Sequence, residues 1–187
     1  MKIRLGIGIA LVALVLPIAA QAGPATTQNV DVTGWVEGAG PTTQVYGEAS
    51  LVRTDDAVSM TFRTTGLPAG QPATIWWIIL DSAGNPVSAQ FAAGHVVGSN
   101  GVASFAGHLA EGDTSGCFHP LFPCQGLSDA QGQTVILLAR VHGPKDPGRV
   151  PIQIHTGETN FGGPGFEDDL CNATFCQVQA AIFAPAS

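Results

Sequence analysis

Apolar and polar residues alternate along much of this chain with the two-residue period of half-buried β-strands. Between Val58 and Arg63 the alternation is strict. Val58, Met60 and Phe62 fall on one side; Ser59, Thr61 and Arg63 fall on the other. Val45 to Arg53 reads as the partner strand, with Thr54-Asp55-Asp56 as the turn. Gly66-Leu67-Pro68-Ala69-Gly70 then breaks the pattern as a loop. Thr74 to Leu80, TIWWIIL, is apolar on both sides. That suits a strand buried on both faces, or one whose second face is docked elsewhere. Asp81 to Pro86 ends it with turn chemistry. Val87–Gly98 and Val102–Leu109 flank Ser99-Asn100-Gly101, and Asn-Gly between two such runs is a strong hairpin signal. Thr134 to Val141, TVILLARV, is a further core strand. Asn29 to Val36 opens the series with Val30 and Val32 pointing together. Gln177 to Ala184 closes it with Val178, Ala180 and Ile182 on one face.

The pattern gives about eight strands at the spacing of a sandwich or barrel. No helix-period stretch and no fixed-period repeat interrupts it. The prediction is an all-β fold, an antiparallel β-sandwich of Ig-like type. The 24 Gly and 13 Pro suit short strands joined by many turns. Two long loops stand out, Glu111–Gln133 and Thr156–Phe175. Loops of this length in a compact domain carry function or need tethering.

The first residues follow a different pattern. Lys2 and Arg4 precede an apolar run, Leu5 to Ala20, which ends in Ala20-Gln21-Ala22. This three-part arrangement is that of a secretory signal peptide cleaved after Ala22. The apolar run falls short of the ~20 residues a membrane-spanning helix needs, so no span is expected after cleavage. Residues 1–22 are read as the leader and residues 23–187 as one exported domain, secreted or periplasmic. Seven Lys and Arg against fourteen Asp and Glu give a net charge of −7. Loss of Lys2 and Arg4 with the leader leaves the domain more acidic still. No basic stripe is present, so a nucleic-acid partner is not expected.

Export changes the reading of the four cysteines, Cys117, Cys124, Cys171 and Cys176. An even count in an oxidising compartment reads as two disulfides. Of the three pairings the local one is favoured, Cys117–Cys124 with Cys171–Cys176, each pinning one long loop. A four-thiolate zinc site would need tighter spacings than C-x6-C and C-x4-C.

Candidate chemistry rests on the histidines. A two-residue turn at Asn100-Gly101 would put His95 and His108 diagonally on one face, opposite an apolar set containing Val96, Ala103, Phe105 and Leu109. His142 ends the TVILLARV strand, and His155 follows the loop after it; the two could approach across that connection. His95, His108 and His142 are therefore the candidate ligands for copper or zinc, although no H-x-H or H-E-x-x-H spacing occurs. Trp76 and Trp77 point to opposite faces of one strand, so one is core and the other a candidate ligand-stacking surface. No G-x-S-x-G elbow is present. Gly112-Asp113-Thr114-Ser115-Gly116 has only a superficial likeness to a serine-protease segment. Glu167-Asp168-Asp169 lacks an alternating calcium-ligand pattern. Asn172-Ala173-Thr174 is a formal glycosylation sequon. No catalytic residue is assigned.

Three blocks, GLPAGQPATIWWIIL, AAGHVVGSNGVASFAGHLAEGDTSG and ARVHGPKDPGRVPIQIHT, resemble a group of secreted microbial proteins of uncharacterised function. The shared features are the Trp-Trp strand and the G-H-V-V-G and H-G-P segments. The likeness runs from about Val45 to Val178. It implies export and no particular activity. A shorter likeness, carried by GLPAG and the later IHT, is to chordin-type (CHRD) extracellular domains, which implies a CHRD-like sandwich. The chain departs from that pattern after GLPAG, where Ile75-Trp76-Trp77 replaces an H-x-H. The reading as a whole is a secreted, non-catalytic binding or structural module. The alternative is a metal-binding protein or metal-dependent oxidoreductase using the histidines.

Overall fold

The computed structural model describes residues 24–36, 39–117, 123–155 and 177–186. Eight strands occur in chain order: β1 (Thr26–Val36), β2 (Gly40–Arg53), β3 (Ala57–Thr64), β4 (Pro72–Leu80), β5 (Pro86–Val96), β6 (Ala103–Ala110), β7 (Thr134–Val141) and β8 (Gln177–Phe183). Each lies where the alternation places it. A single helical turn, α1 (Val150–Gln153), was not expected from the sequence. Pro151 sits in its first turn, where a fixed φ and a missing N–H are tolerated. One turn is too short to leave a 3.6-residue period. Residues 1–22, read above as a leader, together with Cys171, Cys176, Asn172 and the Glu167–Asp169 cluster, lie outside the described residues.

The strands form one antiparallel sheet in the order β5-β4-β7-β8-β1-β2-β3-β6. The sandwich expectation is corrected here. Four strands, β5-β4-β7-β8, and four more, β1-β2-β3-β6, would make the two sheets of a sandwich. They are joined by β1–β8 pairing at Thr33↔Ala180 and Gly34↔Gln179. The joined sheet curls into a nearly closed barrel whose end strands, β5 and β6, face each other without a shared ladder.

Inward side chains fill the barrel. Val58, Met60 and Phe62 of β3, Ile75, Trp77 and Ile79 of β4, and Val135, Leu137 and Ala139 of β7 belong to one buried cluster. β4 is buried on its outer face as well: Trp76 joins Leu138 and Ala180 in a second, smaller cluster. That double burial explains the unbroken apolar run TIWWIIL. In β8 the pairing shifts between Ala139 and Arg140 of the neighbouring β7. Val178 consequently packs toward the barrel interior, while Ala180 faces the outer cluster. The expectation that Val178, Ala180 and Ile182 share one face fails at this bulge.

The barrel ends are closed by connections. At one end Leu67 and Val97 join the core; at the other, Leu127 and Ala130 enter it from the long β6–β7 connection. That connection is therefore part of the core as well as a pinned loop. Arg53, fully buried at the same end, spans three chain segments there. It donates to Gln28 Oε1 at 2.8 Å, to the carbonyls of Ala130 and Gln133 at 2.6 and 3.0 Å, and to that of Ala184 at 3.0 Å.

The free edge of β5 is covered rather than exposed. Phe91 N–H donates to Gly116 O and Ala89 N–H to Pro123 O, both at 2.9 Å; Gln125 N–H donates to Val87 O at 3.1 Å. The disulfide Cys117–Cys124, with Cα atoms 6.0 Å apart, ties together the two legs that make these bonds. An open sheet edge invites pairing with other chains, and this connection removes it.

Candidate functional site

Two neighbouring openings lie beside β5, one of them at the β5–β6 seam. β5 and β6 approach closely at Gly107, where an added Cβ would lie 3.0 Å from Met60 Cε and 3.4 Å from both the Ala92 carbonyl oxygen and the Trp77 ring. Toward the 113–116 segment the two strands part. A cleft of about 250 Å³ opens there, lined by Gln90, His108, Asp113, Ser115 and His155, with Trp77 among its walls. A second, apolar compartment of about 660 Å³ adjoins it, between the outer side of β5 and the segment carrying α1. Its walls include Gly94, Pro151, Ile152 and Ile154. Phe91 and His155 line both volumes. The rings of Phe91 and His155 are 5.9 Å apart.

Glycine sets the shape of both compartments. A Cβ at Gly94 would collide with the Ile154 carbonyl oxygen, and one at Gly116 would come within 2.8 Å of the Phe91 carbonyl oxygen. Each position lets a covering segment lie directly on β5.

His108 lies on the outer face of β6, opposite Ser59 of β3. Its Nδ1 is hydrogen-bonded to Ser59 Oγ at 3.0 Å. This fixes one ring nitrogen and leaves Nε2 for a ligand in the cleft. Asp113 accepts the Ser115 N–H at 2.8 Å. The Ser115 backbone and side-chain bonds, aided by His108, hold its carboxyl below the usual aspartate range. The site thus carries an ionised carboxylate beside an oriented imidazole. Ser59 does not line the cleft, and no hydrogen bond joins Asp113 to His108. The geometry therefore orients His108 without making Ser59 a nucleophile facing the cleft.

The other sequence candidates go elsewhere. His95 pairs with the core residue Ala73 and sets its ring edge-on to Phe105, 5.4 Å between centroids. It remains exposed, yet it lies against Phe105, whose side of β6 is opposite to that of His108. The one-face hairpin register is thereby corrected. The turn itself forms: Gly98 N–H donates to Val102 O, and Asn100 Oδ1 accepts the Val102 N–H. Gly101 has the positive φ of 74° that this tight return requires. The strands then diverge, β5 to pair with β4 and β6 with β3.

His142 is fully buried, contrary to the solvent access expected of a strand end. Its Nε2 lies 2.8 Å from Thr74 Oγ1, which also accepts the Trp76 indole N–H at 2.9 Å. Its backbone N–H donates to Pro72 O. His155 lies against Phe91 and is not brought to His142. His95, His108 and His142 are thus split between an exposed position beside Phe105, the outer face of β6 and a buried strand end. Among the described residues, no group of three His, Cys, Asp or Glu side chains is close enough to hold a metal ion.

Trp76 and Trp77 are 4% and 1% exposed, so neither presents a free stacking face. Trp76 lies under Arg140, 5.5 Å from its ring, and edge-on to Phe91 at 6.4 Å. Trp77 reaches the seam only as part of the cleft wall.

Searches of known family models, curated proteins and solved structures find no match to this chain. Functional inference therefore rests on the seam itself. Sequence reasoning passed over Gln90, Phe91, Asp113, Ser115 and Ile154 as site residues. The available signal was glycine inside or beside apolar strands, at Gly94, Gly107 and Gly116, which marks close backbone approach.

Proposed function

We propose that this protein is an exported, non-catalytic binding module that takes a small ligand in the seam groove. The observation that carries the reading is a pair of neighbouring compartments that share Phe91 and His155 beside the β5–β6 seam, where no ladder joins the described strands. Together they fall in the size range of small-molecule sites, with apolar walls and a few converging polar groups. The leader pattern of residues 1–22 and the Cys117–Cys124 bridge support export.

The test uses N-phenyl-1-naphthylamine, an uncharged apolar dye that fluoresces on entering a dry pocket. The protein should bind it saturably with one site. Gly94→Val, which drives the Ile154 carbonyl off β5, should abolish binding while the far-ultraviolet circular dichroism of the barrel persists. Absence of saturable binding by the parent protein, or undiminished binding by a folded Gly94→Val variant, would overturn the reading.

A further inference from the structure

We infer that the seam groove selects a small cationic amphiphile, a protonated primary amine carrying an apolar chain or ring. This rests on the ligand-binding reading above and adds the chemical class. The apolar compartment, walled by Phe91, Pro151, Ile152 and Ile154, would hold the body of such a molecule. The polar end is rich in hydrogen-bond acceptors. Asp113 brings a carboxylate whose Oδ1 accepts the Ser115 N–H, and Gln90 brings a buried amide oxygen. His108, held at Nδ1 by Ser59, presents Nε2. An ammonium group has three donors and no acceptor, which matches this set.

Charge makes the same selection. Neither compartment is lined by Lys or Arg among the described residues. Asp113 is kept ionised by its bonds to Ser115. A carboxylate or phosphate ligand would be brought against that charge. The whole chain is acidic, at −7, so its long-range field also draws cations and repels anions.

The experiment compares three ligands of equal chain length, octylamine, octanol and octanoate, by titration calorimetry on the protein. About pH 8 is suitable, where a free imidazole is uncharged and an alkylamine keeps its proton. Octylamine should bind about tenfold or more tightly than octanoate, the swing from attraction to repulsion at a partly exposed carboxylate. Asp113→Asn should bring octylamine to the level of octanol and leave octanol unchanged; Asp113→Glu should restore the preference. Should Asp113→Asn fold poorly, Asp113→Ser keeps an acceptor for the Ser115 N–H and removes the charge. Octanoate binding as tightly as octylamine, or an amine preference that survives loss of the Asp113 charge, would overturn the class while leaving the groove as a binding site. If none of the three binds and the uncharged dye does not bind either, both the class and the binding reading fall.

Discussion

Replacing Arg53 by methionine tests how the barrel is closed at the end that holds Leu127 and Ala130. Methionine keeps the length and apolar stem of arginine but removes its donors. Four bonds at 2.6–3.0 Å disappear, to Gln28 Oε1 and to the carbonyls of Ala130, Gln133 and Ala184. A fifth contact, to Phe183 O at 3.5 Å, is long and counts for little. Bonds from a charged donor contribute roughly 1.5–3 kcal/mol each, a gross loss of about 6–12 kcal/mol. Against this, removing the guanidinium returns its desolvation cost, which is several kcal/mol for a buried ion. Burial lowers the Arg53 pKa for the same reason, and Asp129 opposes the shift only in part. Some of the freed acceptors can reach water, but the Ala130 carbonyl bond is buried. The net loss should be about 3–5 kcal/mol, the range seen when one partner of a buried charge network is removed. Urea unfolding followed by tryptophan fluorescence measures it, with Arg63→Met on the exposed face of β3 as the control. Arg53→Lys should recover only part of the loss, since one ammonium cannot serve acceptors on three separate segments. A loss below about 1 kcal/mol for Arg53→Met, or one equal to the Arg63→Met control, would refute the account of this barrel end.

Three further outcomes follow from the same coordinates. Replacing both Cys117 and Cys124 by serine should cost about 2–3 kcal/mol and free the two legs covering β5. Hydrogen exchange at the Ala89 and Phe91 amides should then accelerate while interior β4 and β7 amides stay protected; unchanged exchange at those two positions would contradict the clasp. His142→Ala removes a buried partner of Thr74 and should cost about 1–3 kcal/mol in thermal or urea unfolding without changing amine binding at the seam. Asp81 and Asp113 are held below the ordinary aspartate range, chiefly by backbone N–H bonds from Asn85 and Ser115 respectively. Because folding lowers these pKa values, their contribution is complete above about pH 4 and is lost as pH falls through the depressed values. Urea midpoints between about pH 5 and pH 2 should therefore fall more steeply for the parent than for Asp81→Asn/Asp113→Asn. Parallel curves would show that neither bond set stabilises the fold.

Strand positions were legible because one-sided burial leaves a period of two. β3 is the clearest case: Ser59, Thr61 and Arg63 are exposed, and Val58, Met60 and Phe62 are buried between them. The same logic fails wherever a strand changes neighbour or face. Nothing in the residues of β1 and β8 announces that Thr33 lies opposite Ala180, although that pairing turns two half-sheets into one barrel. The Asn100-Gly101 turn was legible as a turn, but the pairing around it was not. Local turn chemistry says how the chain reverses. Competition for partners decides where each arm goes, and β4 and β3 take β5 and β6. His142 was misread for a related reason. A polar residue before Gly143-Pro144 looks solvent-facing, yet the hydroxyl of Thr74 receives its ring inside the structure.

The seam shows why a site can be absent from sequence patterns and still be specified by them. Gly94, Gly107 and Gly116 are distant in the chain, and glycine within a strand ordinarily weakens it by roughly 0.5–1 kcal/mol relative to alanine. In space they serve one region. At each, a Cβ would meet a close neighbour: the Ile154 carbonyl at Gly94, the core side chain of Met60 and the Ala92 carbonyl of β5 at Gly107, and the Phe91 carbonyl at Gly116. The three close approaches draw the α1 segment, β6 and the 113–116 segment onto β5. Between them remain Gln90, His108, Asp113 and His155, polar side chains that pure packing would not select for a gap beside a hydrophobic core. A barrel that merely failed to close would expose its interior along the whole β5–β6 edge. Here the edge is hydrogen-bonded by a disulfide-tied connection, and the cleft that holds these groups lies beside it. The local cost of the glycines, the clasp on the edge and the placement of the polar residues have one common consequence, a bounded groove with an acceptor-rich end.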